Sequence, residues 1–224
     1  MRKRRIMISI MSAALVAVVA IGGTLAYLSD KTDSVTNTFT VGVGYEEDAQ
    51  GHKGLWLDEV DITDPTGKTR TESGNHYEDL LPTMVMQKDP TFHLVEGSTE
   101  SYVFAEIQGL DELLEKGFIV SDTAFPEEGY PEPASNLNGN WKKISVGIGQ
   151  TYDGIYVYKT TVGGDKATEM APLFNYIKFS SKVTSPEFDA IDRLEDVVIR
   201  GVAVQATNMT EELAAHEAAA VLYP

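Results

Sequence analysis

Ile177-Lys178-Phe179-Ser180-Ser181-Lys182-Val183 puts Ile177, Phe179 and Val183, with Ser181, on one side of an extended chain and Lys178, Ser180 and Lys182 on the other. That period of two predicts a strand with one buried and one wet face. Val35 to Val41 alternates in the same way, Val35, Phe39 and Val41 against Thr36, Thr38 and Thr40. Val197 to Val204 is almost continuously apolar, which predicts a central strand. Thr91–Val95, Tyr102–Ile107, Trp141–Ser145 and Ile155–Val162 read as further strands. Between them stand turn formers such as Asp64-Pro65-Thr66-Gly67, Asn138-Gly139-Asn140 and Gly163-Gly164-Asp165. Seven or more short strands with no strand–helix repeat predict an all-β chain folded as an antiparallel sandwich.

Two short peripheral helices are expected. Leu110–Lys116 ends at Gly117, a glycine that closes a one-to-two-turn helix, and Thr210–Val221 is rich in Ala, Glu and Leu with Asn208 or Thr210 as its cap. The Pro- and Glu-rich stretch Phe125–Pro133 reads as a long surface loop within one domain spanning 35–224, because neither flank carries enough strands to close a sandwich alone.

The chain has 224 residues, enough for one sizeable core. Its formal net charge of -16 repels nucleic-acid backbones, so no nucleic-acid partner is expected. The absence of cysteine excludes disulfides, thiol nucleophiles and cysteine-ligated metal. Charge is unevenly spread. Arg2, Lys3, Arg4 and Arg5 precede the uncharged run Ile6–Ile21, and Gly22-Gly23-Thr24-Leu25-Ala26 supplies small residues. This pattern reads as a signal peptide over 1–26, with cleavage between Ala26 and Tyr27. The alternative is an uncleaved anchor, but the run spans only about 24 Å as a helix, short of a ~30 Å hydrocarbon core. Cleavage leaves 14 Lys+Arg against 34 Asp+Glu, a net charge of about -20, on a secreted chain with no covalent tether to membrane or wall. Residues 27–34 carry too little apolar surface to fold alone and read as a mobile arm.

Chemistry-bearing motifs are sparse. His216-Glu217-Ala218-Ala219-Ala220 lacks the second histidine of a helical zinc site, and His52, His76 and His93 are scattered. Neither Gly-x-Ser-x-Gly nor a phosphate-cradling loop occurs, and Gly147-Ile148-Gly149 reads as a turn. Asp58-Glu59-Val60-Asp61-Ile62-Thr63-Asp64 gathers four acids, yet lacks the spacing and glycine of a calcium loop and reads as a solvated acidic edge. Leu81-Pro82-Thr83-Met84 sits mid-chain and reads as a strand entry broken by proline. No catalytic, cofactor-binding or metal-ligating residue is assigned.

The junction Gly22–Asp30 followed by Thr36-Asn37-Thr38-Phe39-Thr40-Val41-Gly42 resembles the camelysin and TasA family of Gram-positive bacteria. Lys88–Ser98 leading into Tyr102-Val103-Phe104, and Gly201–Ala206, are similar to that family's core strands. The resemblance implies a jelly-roll-like or Ig-like β-sandwich, export through a dedicated signal peptidase, and self-association into extracellular fibres of a biofilm matrix, with an accessory assembly protein as a further partner. It implies as donor strand the segment Tyr27, Leu28, Ser29, Asp30, Lys31, Thr32 and Asp33, adding to the sheet of the next subunit. Some relatives are described as metallopeptidases, which sets the competing reading; a monomeric surface binding module is the third.

Overall fold

The computed structural model describes residues 44–126, 131–144, 152–165, 167–191 and 194–223, all within one compact unit, Gly42–Pro224. The signal segment 1–26, the Ala26–Tyr27 junction, the arm Tyr27–Asp33, the strand reading of Val35–Val41 and the turn at Gly147-Ile148-Gly149 lie outside the described residues. Eleven strands and three short helices are described. The strands are β1 (Leu55–Val60), β2 (Arg70–Thr71), β3 (Val85–Gln87), β4 (Thr91–Leu94), β5 (Ser101–Gln108), β6 (Phe118–Ser121), β7 (Trp141–Lys143), β8 (Gly154–Tyr158), β9 (Thr168–Glu169), β10 (Tyr176–Phe179) and β11 (Val198–Gln205). The helices are α1 (Leu110–Glu115), α2 (Ser185–Asp189) and α3 (Glu211–Leu222). All pairing is antiparallel, in three sheets ordered β2-β1-β4-β9, β3-β10-β6 and β11-β5-β8-β7. The all-β, sandwich-like fold predicted from the period of two is therefore present. No helix among the described residues is long and apolar enough to cross a membrane.

The sheet β11-β5-β8-β7 separates two apolar layers. On one face Val103, Ala105, Ile107 and Tyr156 pack with Phe92 and Leu94 of β4 and with Phe118, Ile177 and Phe179 of the third sheet. On the other, Phe104, Ile155 and Val157 meet Ala214, Ala215, Ala218 and Leu222 of α3, whose alanines let the helix lie close to the strands. Both faces of β5 are thus covered, and its residues alternate between the two layers.

The same double covering explains β11, where the expectation of a central strand is corrected. Ile199 and Ala203 turn inward and Val202 and Val204 face α3, so the run is apolar on both faces apart from Arg200. Yet β11 stands at the end of its sheet. A continuous apolar run reports two covered faces, not two hydrogen-bonded neighbours. The strand expected over Ile177–Val183 ends at Phe179, after which the chain turns and Val183 reaches the core from a loop. The strand expected over Ile155–Val162 ends at Tyr158, leaving Val162 as an isolated bridge to Ser101.

Buried polar groups pin the helices. Glu106 on β5 is fully buried and pairs across the register with Arg200 of β11, whose Nε donates at 2.9 Å; Arg200 Nη2 also donates to the Leu222 carbonyl at the end of α3. At α1 the capping is reciprocal. The Asp153 carboxylate accepts from the N–H groups of Gly109, Leu110 and Asp111, while the Asp111 carboxylate accepts from those of Tyr152 and Asp153. Gly109 sits at φ 79 against the Asp196 carbonyl, where a Cβ would come within 2.3 Å, so only glycine fits. The helix α2, unanticipated from the sequence, starts at a capping box in which Thr184 N–H and Oγ1 both donate to Glu187 Oε2 at 2.8 Å. Thr184-x-x-Glu187 was the legible signal.

Candidate functional site

Side chains on β1 alternate. Trp56, Asp58 and Val60 share one face, and Leu57 and Glu59 share the other. The register sets Trp56 directly opposite His93 of β4, and their rings stack at 4.0 Å and 13°. His52, carried in by the turn that the Glu47–Lys53 bridge closes, covers the other face of the indole at 4.0 Å and 7°. Trp56 is thus held between two imidazoles.

Each imidazole lies between two carboxylates. His52 Nδ1 stands 2.7 Å from Asp48 Oδ2 and Nε2 stands 3.0 Å from Glu72 Oε1. His93 Nε2 stands 2.9 Å from Asp58 Oδ1, and Nδ1 stands 4.0 Å from Glu169 Oε2. Beside this stack, with Asp48, Trp56, His93 and Glu169 in its lining, opens a groove of about 670 Å³.

Behind the stack runs an ion-pair chain. Arg70 of β2 donates from Nε to Asp58 Oδ1 at 2.8 Å and from Nη1 to Asp89 Oδ2 at 2.9 Å, and Nη2 reaches Thr91 Oγ1. Asp89 Oδ1 accepts from the Val60 N–H. Asp58 is 6% exposed and Asp89 13%, so the forked guanidinium compensates two carboxylates largely removed from water. On the opposite face of β1, Glu59 accepts from Lys88 Nζ at 2.6 Å and from Asn75 Nδ2 at 2.8 Å.

The solvated acidic edge expected at Asp58–Asp64 is corrected by this arrangement. Asp58 and Glu59 are buried because their strand lies inside a sheet, and each is matched by cations. Asp61 and Asp64 do stay at the surface. The Asp64 carboxylate accepts from the N–H and hydroxyl of both Thr66 and Thr69, bonds that hold it well below the usual carboxylate range. Its oxygens serve the loop itself.

Of the histidines weighed for metal, His52 and His93 come together only as partners of Trp56, His76 is exposed beside Glu78, and His216 lies exposed on α3. Among the described residues no group of three or more His, Asp or Glu side chains is placed to hold a metal ion. Sequence reading missed the Trp56 stack, since a His–Trp–His sandwich depends on strand register. The apolar run Leu55-Trp56-Leu57 was the signal for β1. The chain matches no protein-family model, no curated protein and no solved structure.

The cluster responds to protons with a definite sign. Hydrogen bonds to Asp48 and Glu72 hold His52 protonated to higher pH than a free imidazole, whose ordinary value is 6.5. Stability from a raised imidazole is fully present below the unfolded value and is lost as pH rises through the folded one. Replacing His52 by Gln is therefore expected to lower the thermal midpoint more at about pH 5.5 than at about pH 9. Melting curves at the two values check this; an equal loss at both would refute the protonated stack.

Proposed function

We propose that this chain is the precursor of a secreted structural subunit similar to the camelysin and TasA proteins. A signal peptidase cuts between Ala26 and Tyr27, and Tyr27–Asp33 of one subunit adds as a strand to a sheet of the next. Main-chain hydrogen bonds supply the affinity and alternate side chains choose the register. Such a head-to-tail contact does not close on itself, so fibres of an extracellular matrix are the product.

The observation that carries this reading is a sheet edge with exposed apolar side chains. The strand β3 ends its sheet, Val85 on it is 48% exposed, and Leu81 and Met84 just before it are 55% and 39% exposed. Natural edges usually carry charge or a covering element, because exposed apolar edges recruit further strands. The net charge of about -20 left after cleavage opposes association until acid or salt screens it.

Electron microscopy of the mature protein at high salt or low pH tests the proposal. Filaments are expected from the chain starting at Tyr27, and none from a chain lacking Tyr27–Asp33 or carrying Val85→Lys. Undiminished filament growth without Tyr27–Asp33 would overturn strand addition. A strictly monomeric mature protein under all these conditions would overturn the structural role.

A further inference from the structure

Glu59, Lys88 and Asn75 form a closed constellation on the face of β1 away from the tryptophan. The Glu59 side chain is 7% exposed and that of Lys88 12%. The two oxygens of one carboxylate are divided between them, Oε2 accepting from Lys88 Nζ at 2.6 Å and Oε1 from Asn75 Nδ2 at 2.8 Å. The Asn75 amide is clamped along its length. Its Nδ2 also donates to the Val60 carbonyl at 2.7 Å, and its Oδ1 accepts from the Ile62 N–H at 3.0 Å. Asn75 and Lys88 line one cleft, about 410 Å³ in volume, with Tyr77, Leu80, Met86 and Phe118. Burial holds the Tyr77 phenol well above its ordinary value, as expected where water is scarce.

We propose that the folded chain joins Lys88 to Asn75 by an intramolecular isopeptide bond, with Glu59 carrying the protons. In the short Lys88–Glu59 pair the ammonium proton moves to the carboxylate, which leaves Nζ a neutral amine with a free lone pair. That lone pair attacks Cγ of Asn75. The negative charge on Oδ1 in the tetrahedral adduct is met by the Ile62 N–H. Glu59 passes its proton to Nδ2 and takes one from Nζ, the Cγ–Nδ2 bond breaks, and ammonia leaves. Glu59 then returns its proton to the ammonia. The balance is one ammonium and one amide in, one isopeptide and one ammonium ion out, with no change of oxidation state and no co-reactant. Holding the groups on one carboxylate supplies the proximity that free amines and amides lack.

The pair Lys178–Glu132 is the control within the molecule. It is similarly buried and closes at 2.9 Å, but Glu132 there faces the Ser180 hydroxyl and the Ser181 N–H, neither of which is a side-chain amide. Glu106 also gathers a cation and an amide, Arg200 and Gln108, but a guanidinium stays protonated and offers no amine for attack. Among the described residues it is at Glu59 that a lysine, a carboxylate and an amide converge.

Mass spectrometry of the purified full chain, denatured after folding, decides the matter. The expected mass is lower than the sequence mass by one molecule of ammonia. A tryptic digest is expected to yield residues 71–116 as one piece, because an acylated Lys88 is no longer cut. Lys88→Arg is expected to restore the full sequence mass, and Glu59→Gln to slow formation by about a hundredfold or more. A native chain at full mass after prolonged folding would overturn the bond. Ammonia loss that survives Lys88→Arg would also overturn it, since Asn75 would then have cyclised alone. Unslowed formation in Glu59→Gln would remove the proton-carrying role.

Discussion

Arg70→Met is expected to destabilise the protein by about 3 kcal/mol at neutral pH, within the ~3–5 kcal/mol range for a broken buried pair. The guanidinium bridges Asp58 and Asp89, and without it two buried carboxylates lose the cation that joins them. Arg70 is itself 35% exposed, so water softens the loss and places it at the lower end of that range. Arg70→Lys should recover only part of the loss, because one ammonium cannot fork between two partners set at different angles. Urea unfolding of the two variants at about pH 7 measures both effects. A loss below about 1 kcal/mol at neutral pH would show that the chain of ion pairs is no more than a surface network.

Phe92→Ala is expected to cost about 3–5 kcal/mol, the range for emptying a large buried site. Phe92 is 1% exposed, meets Trp141 at a ring-centroid distance of 5.6 Å, and lies across Gly201 of β11. A Cβ at Gly201 would come within 2.2 Å of the Phe92 ring, so the two sheets approach at this point only because one strand offers no side chain. Gly201→Ala alone should cost about 1–3 kcal/mol by overpacking. Combined with Phe92→Leu, which vacates part of the ring's space, it should cost less than the sum of the singles by about 1 kcal/mol. Strict additivity in that double-mutant cycle would refute the contact.

The helices show how far local chemistry reaches. Gly117 at φ 92 closes α1 where a glycine stop was expected, and Thr210 Oγ1 accepts from the Leu213 N–H at the start of α3. These ends were legible because a cap lies within four residues of the groups it satisfies. The capping box at Thr184 and Glu187 was equally local.

Period, turn formers and composition were enough by themselves to determine an all-β chain of short antiparallel strands, since alternation along one strand depends only on that strand having a wet and a dry side. Which strand stands at an edge was decided by the tertiary structure alone. Val197–Val204 is apolar for the sake of its two covered faces, and hydrogen-bonded neighbours leave no mark on side-chain hydropathy. The same holds for the acids. Asp58 and Glu59 read as a charged surface because their partners Arg70, His93, Lys88 and Asn75 lie 12 to 35 residues away, and only the pairing of β1 with β2 and β4 brings those partners within 3 Å. Charge fixes how strongly such groups attract, but register decides which of them meet.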